Sequence, residues 1–138
     1  MKTSIENIAT FLAAAIMADG KYDEAEKIAL GEIAEAFELK EDELVNAVDA
    51  EIANQGKLTV KNLKEHLCVA STNVDGEENM YIFEAVLELI LVDGVLTAEE
   101  VDVMFSVADV LAISQADAVL MLADMVKEEP ELEIKINC

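Results

Sequence analysis

An internal repeat with an offset of 74 residues constrains the fold of this chain more than any other feature. The repeated segment holds an Asp-Gly pair and, six residues after the glycine, a glutamate. It occurs as Asp19, Gly20 and Glu26 and again as Asp93, Gly94 and Glu100. The apolar residues before the turn keep the same offset, Ile8, Phe11, Leu12, Ala15 and Ile16 matching Ile82, Ala85, Val86, Leu89 and Ile90. Because their spacing is that of amphipathic helices, we predict three helices in each half, in residues 4–54 and 77–127.

Capping patterns divide the chain into the same elements. An N-cap residue followed three positions later by an acid satisfies the free amides at a helix start. This pattern occurs at Thr3 and Glu6, Asp23 and Glu26, Thr97 and Glu100, and Ser114 and Asp117. Helices are therefore expected to begin near residues 4, 24, 98 and 115. Gly56 and Thr59 predict a stop and a new start, and hence a connecting helix over about 59–70.

The resulting prediction is an all-α, seven-helix single domain with two pseudo-symmetric three-helix halves. It occupies residues 1–127, and no strand is expected within it. Residues 128–138 are predicted to form an extended C-terminal tail, because Pro130 ends the last helix and Leu132, Ile134 and Ile136 then alternate with polar residues. The alternation leaves three outcomes open for this tail: docking on its own domain, docking on a second copy, or disorder.

The charge of the chain excludes some classes of partner. It contains 30 acidic and 9 basic residues, a net charge of −21, and the acids are spread along its length. Nucleic acid is excluded because phosphate binding needs a basic surface, whereas cations and basic protein segments would be attracted. No apolar stretch approaches the roughly 18 residues of a transmembrane helix. The two distant cysteines, Cys68 and Cys138, favour a reducing compartment.

The repeated turn resembles the second half of an EF-hand calcium loop, where a glycine permits the sharp bend and a glutamate six residues later binds the ion. The two leading oxygen ligands of that loop are missing. Their places hold Ala15 and Met17 in the first copy and Leu89 and Leu91 in the second. A standard EF-hand site is therefore excluded.

Two interpretations of the turn stay open. One is a differently built cation site, with Asp19, Asp23 and Glu26, or Asp93 and Glu100, as ligands for calcium or magnesium. The other needs no metal: the same acids cap helices and accept turn amides. The first turn is expected to bind a cation better than the second, because Thr97 replaces an acid there.

The chain resembles the TerB-like proteins associated with bacterial tellurite resistance. The resemblance lies in residues 18–26, the helix running on to Phe37 and Leu39, and the repeated Val92-Asp93-Gly94 with residues 111–114. It implies a seven-helix fold, a cytoplasmic setting, no established catalysis, and an acidic face for divalent cations at the five turn acids named above. Lys40 departs from the pattern, since it stands where Ser114 caps the matching helix.

No catalytic residues are expected. The chain has a single histidine, His66, outside any recognisable motif, and Cys68 is interpreted as part of an apolar helix face. The first functional hypothesis is a non-enzymatic, cation-binding scaffold in a tellurite or stress resistance system. The alternative is a metal-free protein-protein interaction module or homodimer, in which the Asp-Gly turns are purely structural.

Overall fold

The computed structural model describes residues 2–128 and 132–135, without the side chains of Asp19 and Lys135. Within these residues it contains seven α-helices and two short β-strands. The helices are α1 (Ile5–Asp19), α2 (Glu24–Ala36), α3 (Glu41–Gln55), α4 (Val60–Ser71), α5 (Asn79–Leu91), α6 (Ala98–Val110) and α7 (Gln115–Lys127), and the strands are β1 (Val95–Thr97) and β2 (Glu133–Lys135). The predicted all-α, seven-helix fold is confirmed. The division into a domain of residues 1–127 and a tail stays a prediction.

The sequence repeat has a direct counterpart in the backbone. Helices α5, α6 and α7 each begin 74 residues after α1, α2 and α3, and α2 and α6 also end 74 residues apart. Two residues with left-handed backbone keep the offset as well, Glu38 and Ala112, both with φ of 59°. In each case the next residue donates its N–H to the helix, from Leu39 to Ala34 and from Ile113 to Ala108, at 2.8 Å. Both α2 and α6 thus end in a Schellman motif.

The core is built around α1 and α5, the first helices of the two halves. Residues 8–16 of α1 are all buried, and α1 packs against α3, α4, α5 and α6. Helix α5 packs against α2 and α6 as well as α1. The second helix of each half therefore contacts the first helix of the other half, α6 against α1 and α2 against α5. The two halves interlock rather than lying side by side.

The N-terminal cap differs from the prediction. Ser4, not Thr3, is the N-cap of α1, and its hydroxyl accepts a hydrogen bond from the backbone N–H of Asn7. Thr3 is buried, and its hydroxyl and its N–H both donate to Glu78 Oε1, at 2.6 and 2.8 Å. Because Glu78 directly precedes α5, this contact fastens the start of α1 to the start of α5.

The connecting helix α4 corrects a second expectation. Cys68 is exposed, whereas Leu67 and Ala70 are buried. Successive residues of a helix point about 100° apart, so a residue next to a buried one need not share its face. The predicted place of Cys68 in the apolar face was therefore wrong.

The expectation of no strand within the domain was also wrong. Val95–Thr97 forms β1, which pairs in parallel with β2, Leu96 lying opposite Ile134. Glu133 also donates its N–H to the Gly94 carbonyl at 2.8 Å. A segment of three residues is too short for the alternation of a strand to be recognised in the sequence. The strand β1 forms because the tail supplies the neighbouring strand β2. The described part of the tail thus docks on its own domain; Pro130 and Ile136 lie outside the described residues.

Candidate functional site

The first Asp-Gly turn joins α1 to α2. Gly20, with φ of 75°, ends α1 by donating its N–H to the carbonyls of Ile16 and Met17, a left-handed conformation that glycine adopts without strain. Asp23 is the N-cap of α2 and accepts a hydrogen bond from the N–H of Ala25 at 3.2 Å. In return, Glu26 Oε2 accepts the N–H of Asp23 at 3.2 Å, which completes the predicted capping box.

The two carboxyl groups of this turn influence each other. Glu26 is only 2% exposed, and its burial, together with a hydrogen bond to the Asp23 carboxyl group, raises its pKa to about 7. The same hydrogen bond is the main cause of a lowered pKa for Asp23. Asp23 therefore carries the negative charge of the pair, while Glu26 tends to hold the proton. The side chain of Asp19 is outside the described residues.

Tyr22 holds the first turn against the body of the protein. Its ring packs against the core, and the ammonium of Lys27 lies 5.4 Å from the ring centroid. Burial, followed by the carboxyl group of Asp49 on α3, raises the pKa of Tyr22 above its ordinary range. Tyr22 thus anchors the turn to the core.

The second turn has the same frame with different contacts. Gly94 has φ of 77°, and Asp93 Oδ1 accepts the N–H of Val95 at 3.0 Å. Thr97 is the N-cap of α6, and both its N–H and its hydroxyl donate to Glu100 Oε1 at 3.1 Å. The backbone N–H of Glu100 donates to the Thr97 hydroxyl at 3.2 Å, and Glu100 is fully buried. Of the four cap patterns predicted from the sequence, those of the two turns form complete capping boxes. At α7, Ser114 is the N-cap and accepts the N–H of Asp117.

These contacts bear on a cation site. Among the described side chains, which leave out Asp19, no three His, Cys, Asp or Glu residues lie close enough together to hold a metal ion. At the second turn, Asp93 and Glu100 already accept backbone hydrogen bonds, and Thr97 stands where the first turn has the acid Asp23. At the first turn Asp23 and Glu26 offer adjacent carboxyl oxygens. The cation site at Asp19, Asp23, Glu26, Asp93 and Glu100 stays a prediction, with the first turn better suited to it.

A comparison with known families decides the relationship of this chain to others. The sequence model of the family described as tellurite resistance protein TerB matches residues 6–123. The chain belongs to the TerB family. None of the curated proteins and none of the solved structures matches it. The TerB match runs from α1 into α7 and includes both Asp-Gly turns, so the resemblance inferred from those turns is confirmed. None of the helices described in this TerB domain is both long and apolar enough to cross a membrane.

Sequence reasoning missed a second acidic cluster on the TerB domain, between α2 and α5. The carboxyl group of Glu88 is partly buried and hydrogen-bonds to that of Glu32. Burial, then the hydrogen bond and charge of Glu32, and then the charge of Glu84, raise the pKa of Glu88 to about 7. The i, i+4 spacing of Glu84 and Glu88 on the very apolar helix α5 was a signal for an acidic stripe. Their contact with Glu32 could not be read from spacing.

The single histidine takes part in a partly buried polar network. His66 Nε2 on α4 lies 3.0 Å from Glu51 Oε2 on α3. Gln55, only 2% exposed, donates through Nε2 to the same Glu51 oxygen at 3.0 Å and to the carbonyl of Thr10 on α1 at 2.9 Å. These bonds link three helices, so the role of His66 in the structure is to connect α4 to α3.

Proposed function

We propose that this protein is a non-enzymatic, acidic interaction module of a cytoplasmic tellurite or stress resistance system, whose Asp-Gly turns are structural corners. Membership of the TerB family supports the biological setting. The observation that carries the proposal is a pair of open apolar grooves, one between α2 and α5 and one between α4 and α6. Exposed apolar surface of this kind is used for protein contacts.

The chemistry of the turns supports the same proposal. In both halves the turn glutamate is buried and accepts the N–H of the N-cap residue. At the second turn both predicted acids accept backbone hydrogen bonds, Asp93 from the N–H of Val95 and Glu100 from the N–H of Thr97. The doubled turn is thus explained by helix capping, and the partner of this module is another protein or a second copy of the chain.

Complementation tests the biological part of this proposal. The full chain is expressed in a bacterium whose own TerB gene has been deleted, and growth is measured on tellurite. We expect restored growth from the wild-type chain and from Asp23→Asn and Glu26→Gln, which keep the capping contacts while removing the carboxyl groups that a cation would bind. Failure of the wild-type chain at normal expression would count against a role in tellurite resistance.

A second candidate function, divalent-cation binding, is favoured by one observation. Asp23 and Glu26 hold two carboxyl groups in contact at the first turn, where a cation would replace the proton between them. The test is a melting curve of chelator-treated protein with millimolar calcium or magnesium. Binding would stabilise the folded protein by about 2.7 kcal/mol at a cation concentration of 100 times the Kd, and the Tm would rise accordingly. Asp23→Asn would abolish this rise. An unchanged Tm for the wild-type chain would exclude this function and leave the interaction module standing.

A further inference from the structure

The groove between α2 and α5 combines an apolar floor with an acidic border. Near the C-terminal end of α2 it forms a hollow of about 410 Å³. Its lining residues are Ile33, Ala36, Phe37, Tyr81, Glu84, Ala85 and Glu88. Tyr81 is 60% exposed and Phe37 half-buried, so two aromatic rings are available to a partner at this end.

A second hollow continues the first along α5. It has a volume of about 280 Å³ and is lined by Glu32, Glu88, Leu91, Val92, Gly94, Met125 and Glu128. The two hollows meet at Glu88, which borders both. From Tyr81 to Leu91 the face of α5 extends about 15 Å at 1.5 Å per residue, which is the length of roughly three helical turns.

The charged side chains that border this groove, among the described residues, are all acidic. Glu32, Glu84, Glu88 and Glu128 line the two hollows, and no lysine is among their described lining residues. The contact between Glu32 and Glu88 crowds two carboxyl groups, and a cationic group placed beside them would take over the role of the proton that Glu88 retains. Because no three of the described acids are close enough for a metal ion, the charge suits several separate cationic side chains.

The groove between α4 and α6 provides a comparison within the same molecule. It has a similar volume, about 420 Å³, and an apolar floor that includes Val60, Leu63 and Val103. Its border carries Lys61 and Lys64 together with Glu65 and Asp102. The two grooves are alike in size and differ in charge, so charge selects the one that a basic partner would enter.

We propose that the α2–α5 groove is the docking site for a basic amphipathic helix of a partner protein, with apolar residues seated on Phe37, Tyr81 and Ala85 and basic residues placed along Glu84, Glu88 and Glu32. The i, i+4 spacing of Glu84 and Glu88 on α5 matches the i, i+4 spacing of cations on such a helix. This inference rests on the proposed interaction module and names the chemistry of its partner.

The test uses a fluorescent 14-residue peptide of leucine and lysine, with leucines at i, i+3, i+4 and i+7, titrated into the full chain. The same peptide with glutamate in place of lysine is the control ligand. We expect the lysine peptide to bind and the glutamate peptide to bind at least tenfold more weakly. Amide shift changes in the labelled protein are expected at residues 32–37 and 81–92.

Matched variants separate the groove from general charge attraction. Glu84→Gln with Glu88→Gln should weaken binding at least tenfold, and Tyr81→Ala should weaken it several-fold. Glu43→Gln with Glu99→Gln removes the same number of carboxyl groups from exposed sites on α3 and α6 and should change the Kd less than twofold. Absence of binding, equal losses in both double variants, or shift changes confined to the α4–α6 groove would each overturn the inference.

The outcomes also distinguish this inference from the proposed function. If the peptide binds at another surface, the α2–α5 groove is not the docking site, but the protein can still be an interaction module. Failure of the wild-type chain to restore growth on tellurite removes the biological role, whatever the peptide data show. If both proposals hold, Glu84→Gln with Glu88→Gln also fails to restore growth, while Glu43→Gln with Glu99→Gln restores it.

Discussion

Glu88 on α5 and Glu32 on α2 share a hydrogen bond between their carboxyl groups, although 56 residues separate them in the chain. Burial is the largest cause that raises the pKa of Glu88 to about 7, from an ordinary value of 4.5, and Glu32 and Glu84 add to it. The folded protein therefore binds more protons than the unfolded chain between about pH 4.5 and 7. The free energy of unfolding should fall as pH rises through this window.

The variant Glu88→Gln tests this pH dependence. It should flatten the fall in stability and raise the Tm at pH 8 by about 3 °C, while leaving the Tm near pH 4.5 almost unchanged. The fall in stability with pH will be only partly removed, because Glu26 also has a pKa raised to about 7 and its ionisation destabilises the folded protein in the same way. Melting curves from pH 4 to 8 provide the measurement, with exposed Glu43→Gln as the control. A parallel shift of the whole curve would contradict the assignment.

The cap of α6 should contribute measurably to stability. Thr97→Ala removes the hydroxyl that accepts the N–H of Glu100 and donates to its carboxyl group. We expect a loss of about 1 kcal/mol in the free energy of unfolding, measured in urea. Thr97→Ser keeps the hydroxyl and should stay close to wild type. Equal stability of Thr97→Ala and wild type would show that the capping box is energetically unimportant.

Two left-handed residues offer sites for stabilisation. Glu38 and Ala112 have φ of 59°, a conformation that costs an L-residue about 1–2 kcal/mol. Replacement by glycine removes this cost but adds entropy to the unfolded chain, so Glu38→Gly and Ala112→Gly should each stabilise by about 0.5 kcal/mol. Ala123→Gly, at an exposed position within α7, should instead destabilise by about 0.5–1 kcal/mol. Urea denaturation measures the free energy of unfolding, which should rise in Glu38→Gly and Ala112→Gly and fall in Ala123→Gly.

The pairing of β2 with β1 can be tested at one backbone amide. Glu133→Pro removes the N–H that bonds to the Gly94 carbonyl at 2.8 Å, whereas Glu133→Ala keeps it. We expect hydrogen exchange at residues 95–97 to accelerate at least tenfold in the proline variant, with α1 unaffected, and to stay near wild type in the alanine variant. Identical exchange in both variants would show that β2 does not protect β1.

The candidate site was predictable to the extent that its contacts are local. Asp23 and Glu26, like Thr97 and Glu100, lie three residues apart, and this spacing alone indicated both capping boxes. The start of α1 was misjudged by one residue because Thr3 is engaged by distant Glu78. Cation binding at the turns stays a prediction, since it depends on how carboxyl oxygens converge and on the contacts that compete for them.

The sequence by itself determined the helices, the capping boxes of α2 and α6 and the two glycine turns, because each depends on residues close to one another in the chain. The repeat was equally visible, since finding it needs only a comparison of the sequence with itself. Tertiary structure alone decided that α2 packs on α5 and α6 on α1, that the tail pairs with β1, and that Glu32 meets Glu88. Amphipathic helices show which face is buried but not against which partner, since that choice depends on how all the apolar faces of the chain pack together.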